Sequence, residues 1–321
     1  MHSSLNHIST RFLYERGPNV ANFNLPPNGA LQGLTKGLAK AWELYGSKTS
    51  VVVMVVQPGE RNSFDQRWLE NTLLTQYGVK LLRKSLAELL EQGKLVGSER
   101  KLILNGEHEV AVAYYRAGYA PTDYPSENEW DARLLVERSH AIKCPNAAYH
   151  LVGSKKIQQI LAEPGVLEQF IPSTKHVRQL RSCFTGLWPL DASEAGRKAY
   201  EMALQSPERF VLKPQREGGG NNIYGADIKA ELLKLTENER NAYILMELIK
   251  PPPSRSVLVR NGEIIEGDVI SELGIYGVWV SEDSVVHMNE GVGHLLRTKV
   301  ANSNEGGVAA GYSVLDSPNL V

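Results

Sequence analysis

With 321 residues, 42% of them apolar, the chain is long enough for two or three domains that each bury a core, so disorder is not the expectation. Its 35 basic and 36 acidic residues nearly cancel. That leaves no bulk field to gather nucleic acid or an anionic membrane, and any anionic ligand must be held by local clusters. Cys144 and Cys183 stand far apart and outside any CxxC spacing. No stretch approaches the roughly 18 apolar residues of a membrane span, and the first residues lack the apolar run of a signal peptide, so a soluble, cytoplasmic protein is expected.

Residues 1–28 are mixed and close on NFNLPPNG, whose prolines and glycine punctuate the path before anything regular begins. From Ala30 onward Leu31, Leu34, Leu38, Trp42 and Tyr45 recur at helical spacing until Gly46, which predicts one amphipathic helix. VVVMVV, residues 51–56, reads as a β-branched strand. The next stretch enters a helix ending near Gly78, VKLL follows as a second strand, and KLILNG and EVAVAYY add two more. Strand, helix and strand in that order predict a parallel α/β unit over about residues 51–115. The loop RAGYAPTDYP then lies at the carboxyl edge of its last strand, where open sheets place ligands. Helices are predicted over residues 128–141 and 154–161 and in ASEAGRKAYEMALQ. Beyond Pro207 short strands alternate with glycine-rich turns, from RFVLKPQ and AYILMELI to VISELGIYGVWV and SVVHM. That texture predicts a second, mainly antiparallel β platform with flanking helices, and the apolar terminus VLDSPNLV is expected to dock.

The sharpest local feature is FVLKPQREGGGNNIYG, residues 210–225. Lys213 leaves a strand, Arg216 and Glu217 follow, and Gly218, Gly219 and Gly220 expose backbone amides ahead of Asn221 and Asn222. Free amides in a glycine turn surround phosphate oxygens, a lysine adds a point charge, and a carboxylate holds magnesium, so the segment predicts nucleotide binding. It is neither a Walker A loop nor GxGxxG. In AYILMELI the polar exception is Glu247, and the backbone near Met246 and Ile249 suits a hinge against a purine, although taken alone the segment reads more readily as a satisfied edge strand. Glu272, inside an otherwise apolar strand, is costly unless paired or bound to a cation, which makes it a metal or ribose candidate. GHLLRTKVANSNEGGVAAG collects Arg297, Lys299 and Glu305 beside flexible glycines; it reads either as an anion-binding element or as a solvated loop. Asn62, Gln66, Arg116 and Tyr119 lie where predicted strands hand over to loops, with Arg116 the best candidate for a substrate carboxylate.

GLAKAWELYG, ERNSFDQRWLEN, VAYYRAGY, ERSHAIKCP, GSKKIQQ, FVLKPQREGGGNNIYG, AYILMELI, ISELGIYGVWV and GHLLRTKVANSNEGGVAAGYSVLDSP, in this order, resemble the eukaryotic glutathione synthetase family of the ATP-grasp superfamily. The resemblance runs from about Gly33 to the end. It implies mixed α/β and α+β architecture: an ATP-grasp-like fold with an inserted three-layer parallel-sheet substrate domain. The implied boundaries are 1–46 for a largely helical remnant of an amino-terminal region, 47–152 for the substrate domain and 153–321 for the nucleotide-binding region with a glycine-rich lid.

The implied reaction joins glycine to γ-glutamylcysteine, with ATP converted to ADP and phosphate through an acylphosphate, in a magnesium-dependent homodimer. By the same resemblance Lys155, Lys213, Gly218 to Gly220, Asn221, Asn222, Tyr224, Met246, Glu247, Ile249, Glu272, Lys299 and Glu305 form the nucleotide side, and Glu217 is a magnesium ligand. Asn62, Gln66, Arg116, Tyr119, Arg297, Val308 and Ala309 form the peptide side, with Lys213 and Arg297 carrying the charge that develops in the reaction. The family pattern includes an earlier arginine and an acidic EIN-type strand that find no counterpart here, so weak nucleotide binding and poor ligation are expected of the isolated chain. Two other readings remain open: a ligase using β-alanine or serine as acceptor, and a non-catalytic nucleotide- or peptide-binding protein.

Overall fold

The computed structural model describes residues 2–16, 24–60, 62–216, 220–260, 262–303, 308 and 311–320. The chain divides into two compact units, one made of residues 1–147 with 253–321, the other of residues 148–252. This differs from the three consecutive segments expected from sequence, and the first unit shows why.

That unit begins with helices α1 (His2–Arg16) and α2 (Ala30–Tyr45). Strand β1 (Val51–Val55), helix α3 (Ser63–Tyr77), β2 (Leu81–Lys84), α4 (Leu86–Gln92), β3 (Gly93–Val96), β4 (Lys101–Leu104), β5 (His108–Tyr115), α5 (Glu127–Arg138) and β6 (Ile142–Cys144) follow. The sheet order is β2-β1-β5-β4-β3, with β6 beside β5. The links β1–β2, β1–β5 and β5–β6 are parallel, whereas β3–β4 and β4–β5 are antiparallel. The expected parallel sheet is therefore mixed, because β3, β4 and β5 form a meander whose short turns can join only antiparallel neighbours.

All five residues of β1 are buried, and alternation sends them to two cores. Val51, Val53 and Val55 pack with Leu86, Leu89, Ala132 and Val136 of α4 and α5. Val52 and Met54 pack with Leu31 and Leu38 of α2 and Leu69 and Leu73 of α3. Helix α2 is thus one outer layer of the sheet, not part of a separate remnant. It ends where Gly46 takes a left-handed φ of 85° and its N–H reaches Glu43 O. Helix α4 starts with a reciprocal Ser85–Glu88 capping box.

The chain then passes through α6 (Ala147–Val152), α7 (Lys155–Ala162), α8 (Leu167–Phe170), α9 (Thr174–Arg181), β7 (Leu187–Pro189), α10 (Glu194–Gln205), β8 (Phe210–Pro214), β9 (Ile223–Tyr224), α11 (Ala226–Leu232), α12 (Glu237–Arg240) and β10 (Tyr243–Glu247). The second unit's sheet has the order β7-β10-β8-β9 with antiparallel neighbours. Phe210, Leu212 and Leu245 on one sheet face bury against Ala199 and Ala203 of α10 and Ile228 and Leu232 of α11. Strand β10 is internal, which removes the edge-strand reading of AYILMELI.

Back in the first unit, β11 (Ser254–Arg260), β12 (Glu263–Glu282), β13 (Val285–Val300) and β14 (Val314–Asp316) form an antiparallel sheet in sequence order. The single β platform expected beyond Pro207 is therefore two sheets in two units, and the segment 293–300, which permitted a loop reading, is the end of β13. Helix α2 packs on β12 and β13. A Cβ at Gly33 would stand 2.2 Å from Val292 Cβ, and one at Gly37 would stand 2.4 Å from Val278 Cγ1, so only glycine permits this approach. Asn28 completes the seam: its side chain donates to His294 O at 2.8 Å and accepts from His294 N at 3.1 Å. Among the described residues no helix is long and apolar enough to cross a membrane.

Candidate functional site

The first unit gathers Asn62, Gln66, Arg116 and Tyr119 around the carboxyl ends of β1, β2 and β5. Asn62 is the residue before α3, and its N–H donates to Glu60 Oε1 at 2.6 Å. Gln66 is fully buried and engaged at both ends of its amide: Nε2 donates to Glu60 Oε2 at 2.8 Å, and Oε1 accepts from Arg83 Nε at 2.7 Å. Arg116 follows β5, where its N–H and that of Ala117 both donate to Val55 O, and its guanidinium lies 3.9 Å from Asp65. Burial raises the Tyr114 hydroxyl above its ordinary value, and neighbouring Arg116 opposes the shift. Tyr119 is exposed. Both signs of charge are present, Glu60 and Asp65 against Arg83 and Arg116, which suits a zwitterionic ligand. Glu60 and Arg83 were missed from sequence. Their signals were a carboxylate just before a helix and a cation near the end of a short, partly buried strand, both commonplace on protein surfaces.

The same unit holds Glu272, Arg297 and Lys299. Glu272 and Arg297 are directly opposed across β12 and β13, and Arg297 Nε donates to Glu272 Oε2 at 2.7 Å. Lys299, paired with Ile270, is two residues along the same strand and so shares the Arg297 face. The carboxylate expected to be costly in an apolar strand is instead exposed and paired. Val308 lies in a turn after β13.

In the second unit Lys213 sits near the end of β8, opposite Ile244 of β10. Val211 is opposed by Met246 on one side and Tyr224 on the other. Direct cross-strand partners share a face, so Lys213, Met246 and Tyr224 occupy the sheet face turned away from the α10–α11 core. Asn222 donates to the Tyr224 hydroxyl at 3.2 Å. Helix α7 is tied to the start of the glycine-rich loop at two points: Lys155 Nζ donates to Arg216 O, and Lys156 N donates to Gln215 Oε1 at 3.0 Å. Gly220 takes a left-handed φ of 86°, and Asn221 follows it. Ile249 is exposed just beyond β10. Glu247 does not join the Lys213 face; it alternates to the other side, where it accepts from Thr185 Oγ1 at 3.0 Å and from Gly186 N at 3.3 Å. Glu217, Gly218, Gly219, Glu305 and Ala309, also expected here, lie outside the described residues.

A mixed sheet covered on both faces, joined in sequence to two antiparallel sheets of which one carries a lysine and a glycine-rich loop, defines an ATP-grasp-like fold with an inserted sheet domain. A solved glutathione synthetase like-effector from Globodera pallida, in apoform, has this fold: TM-score 0.76 at 23% identity, covering 99% of this chain and 68% of that one. Residues 1–320 match the family described as eukaryotic glutathione synthase, ATP binding domain, and the chain belongs to that family. It is 50% identical over 300 residues to the chloroplastic glutathione synthetase of Solanum lycopersicum, covering 92% of this chain and 54% of the relative. It is 48% identical over 296 residues to glutathione synthetase of Homo sapiens, covering 91% and 61% respectively. The chain thus spans between about half and three-fifths of the length of these curated relatives.

Proposed function

We propose that this chain supplies the nucleotide and peptide sites of a ligase that joins glycine to γ-glutamylcysteine, consuming ATP. The observation that carries the reading is the family match over residues 1–320. The Lys213 face of the second unit and the charge-balanced cluster of the first supply groups of the required chemistry. In this reading Lys155, Lys213 and the amides from Gly218 to Gly220 hold the phosphates, while Met246, Ile249 and Tyr224 border the base and sugar. Glu60, Asn62, Arg116, Tyr119 and Arg297 hold the peptide.

The peptide carboxylate attacks the γ-phosphorus, the bond to the bridging oxygen breaks, and ADP leaves. The deprotonated amine of glycine then attacks the acyl carbon, the amide forms, and phosphate departs. Positioning and electrostatic stabilisation carry most of such a transfer, so cations at fixed places matter more than a covalent catalyst. Among the described residues no three His, Cys, Asp or Glu converge as a metal cage. Magnesium held chiefly by phosphate oxygens with only one or two carboxylates needs no such cage, and Glu217, beside the glycine-rich loop in sequence, is the carboxylate that would hold it. Bound there, magnesium supplies charge neutralisation on the phosphates as the bridging bond breaks.

The reading extends to a homodimer acting in the cytoplasm, although the tomato and Arabidopsis thaliana relatives are described as chloroplastic. The test is formation of glutathione, read by mass, when the purified chain is given ATP, magnesium, γ-glutamylcysteine and glycine beside a Lys213→Ala control. ATP-dependent product that disappears in the control supports the reading. ATP and dipeptide binding without product, by folded protein, overturns ligation. Product with β-alanine or serine in preference to glycine reassigns the acceptor.

A further inference from the structure

The chain leaving β5 between Arg116 and Tyr124 is held far more tightly than an exposed loop requires. At its base Val55 O accepts two N–H groups, from Arg116 at 2.9 Å and Ala117 at 3.1 Å. At its tip one carboxylate oxygen, Asp123 Oδ2, accepts three successive backbone amides: Gly118 at 2.8 Å, Tyr119 at 3.1 Å and Ala120 at 3.2 Å. The next residue secures the opposite polarity, since the Tyr124 hydroxyl donates to Gly118 O at 2.9 Å. Tyr124 is itself fixed by stacking on Trp130, with ring centroids 4.0 Å apart. Gly118 has a φ of 89°, and a Cβ there would meet the Tyr124 hydroxyl at 3.0 Å, so the turn and the clamp require each other.

Tyr124 packs against the core formed with α4 and α5, whereas Tyr119 remains half exposed and Asp123 is only partly buried, so the Asp123 end of the clamp buries no core. Its effect is to fix the backbone that carries two side chains, Arg116 and Tyr119. Charge-assisted bonds from amides to a carboxylate are stronger than neutral ones, and three on one oxygen leave the loop little freedom to lose when a ligand arrives. We propose that Asp123 is the positioning residue of the peptide site, holding Arg116 and Tyr119 in the geometry that receives a carboxylate-bearing peptide. The assignment rests on the peptide-binding reading above. It adds a residue that touches no substrate and acts through the loop.

The experiment measures γ-glutamylcysteine and ATP binding to the full chain by calorimetry, for the unmutated protein and Asp123→Ala, with amide exchange followed at residues 118–120. The expected result is loss of exchange protection at those amides, weakening of dipeptide binding by about tenfold or more, and ATP affinity unchanged within about twofold. Retained protection, or opened amides with unchanged dipeptide affinity, overturns the inference alone. Absence of dipeptide binding by the unmutated chain overturns the peptide-site reading and this inference with it, and shows before any substitution is made. Should Asp123→Ala fail to fold, Tyr124→Phe, which deletes only the hydroxyl on Gly118 O, carries the same test. Dipeptide affinity then falls while ATP affinity holds, or the inference is overturned.

Discussion

His7 of α1 and His294 of β13 are each held below the ordinary imidazole value of 6.5, first by burial and then by a neighbouring cation: Arg11 for His7, and His7 for His294. His7 Nδ1 is buried without a hydrogen-bond partner, so a proton there finds no acceptor. A base whose folded pKa is lowered binds fewer protons folded than unfolded. Its contribution is therefore intact above about pH 6.5 and is lost as pH falls through that value toward the folded pKa. Amide protection in α1 is expected to weaken between about pH 7.5 and 5.5, and His7→Asn should flatten that dependence in a hydrogen-exchange titration; an unchanged profile would count against the pairing. Single residues were legible where chemistry is encoded locally. Lys213 and the glycines announce themselves in one short segment. Gln66 was found as a polar residue near a strand end, but its burial between Glu60 and Arg83 depends on three separate elements. Asp123 was invisible because an aspartate in a turn is ordinary until its three amide donors are known.

At the scale of elements, hydrophobic periodicity located α2 to within a residue or so, and the end of α3 was likewise legible, because Gly46 and Gly78 stop them in left-handed conformations. Helix α1 could not be placed from the residues themselves, which have a weakly segregated apolar face, although the resemblance implied a largely helical region there. Strand β3 and strand β6 were missed because four and three residues carry too little pattern. What periodicity could not supply was the second face of α2, where glycine marks an approach and ordinarily reads as a weakness. Replacing Gly33 by alanine gains about 1 kcal/mol of intrinsic helix stability. Against that stands overpacking, at about 1–3 kcal/mol, since the new methyl meets the branch point of Val292 and not the end of a flexible chain. We expect Gly33→Ala to lower stability by up to about 2 kcal/mol in urea unfolding, with Val292→Ala recovering part of the loss in the double variant. A gain in stability would mean that α2 can move away from the ribbon at little cost.

For the whole molecule, the sequence pattern distinguished an α/β region from a β-rich one, and the structure agrees on both textures. It did not show that residues 253–321 return to the first unit, because strand pairing partners are not written in alternation. The second unit, by contrast, is one continuous segment with a core of its own, including Phe210, Leu212, Ile228, Leu232 and Leu245. Residues 148–252 expressed alone are therefore expected to unfold in one cooperative urea transition. Far-ultraviolet circular dichroism and tryptophan fluorescence should give the same midpoint, and a featureless melt would show that the unit depends on the rest of the chain.

The seam between α2 and the β12–β13 ribbon also dictates an order of events during synthesis. Gly33 and Gly37 leave the ribbosome-bound chain long before Val278 and Val292 exist, and at about 5–20 residues per second that gap is on the order of tens of seconds. When the second unit has all of its residues, the first still lacks residues 253–321 and holds a helix with one face docked on its sheet and the other facing water. The nascent first unit is thus the part of the chain that calls for chaperone protection.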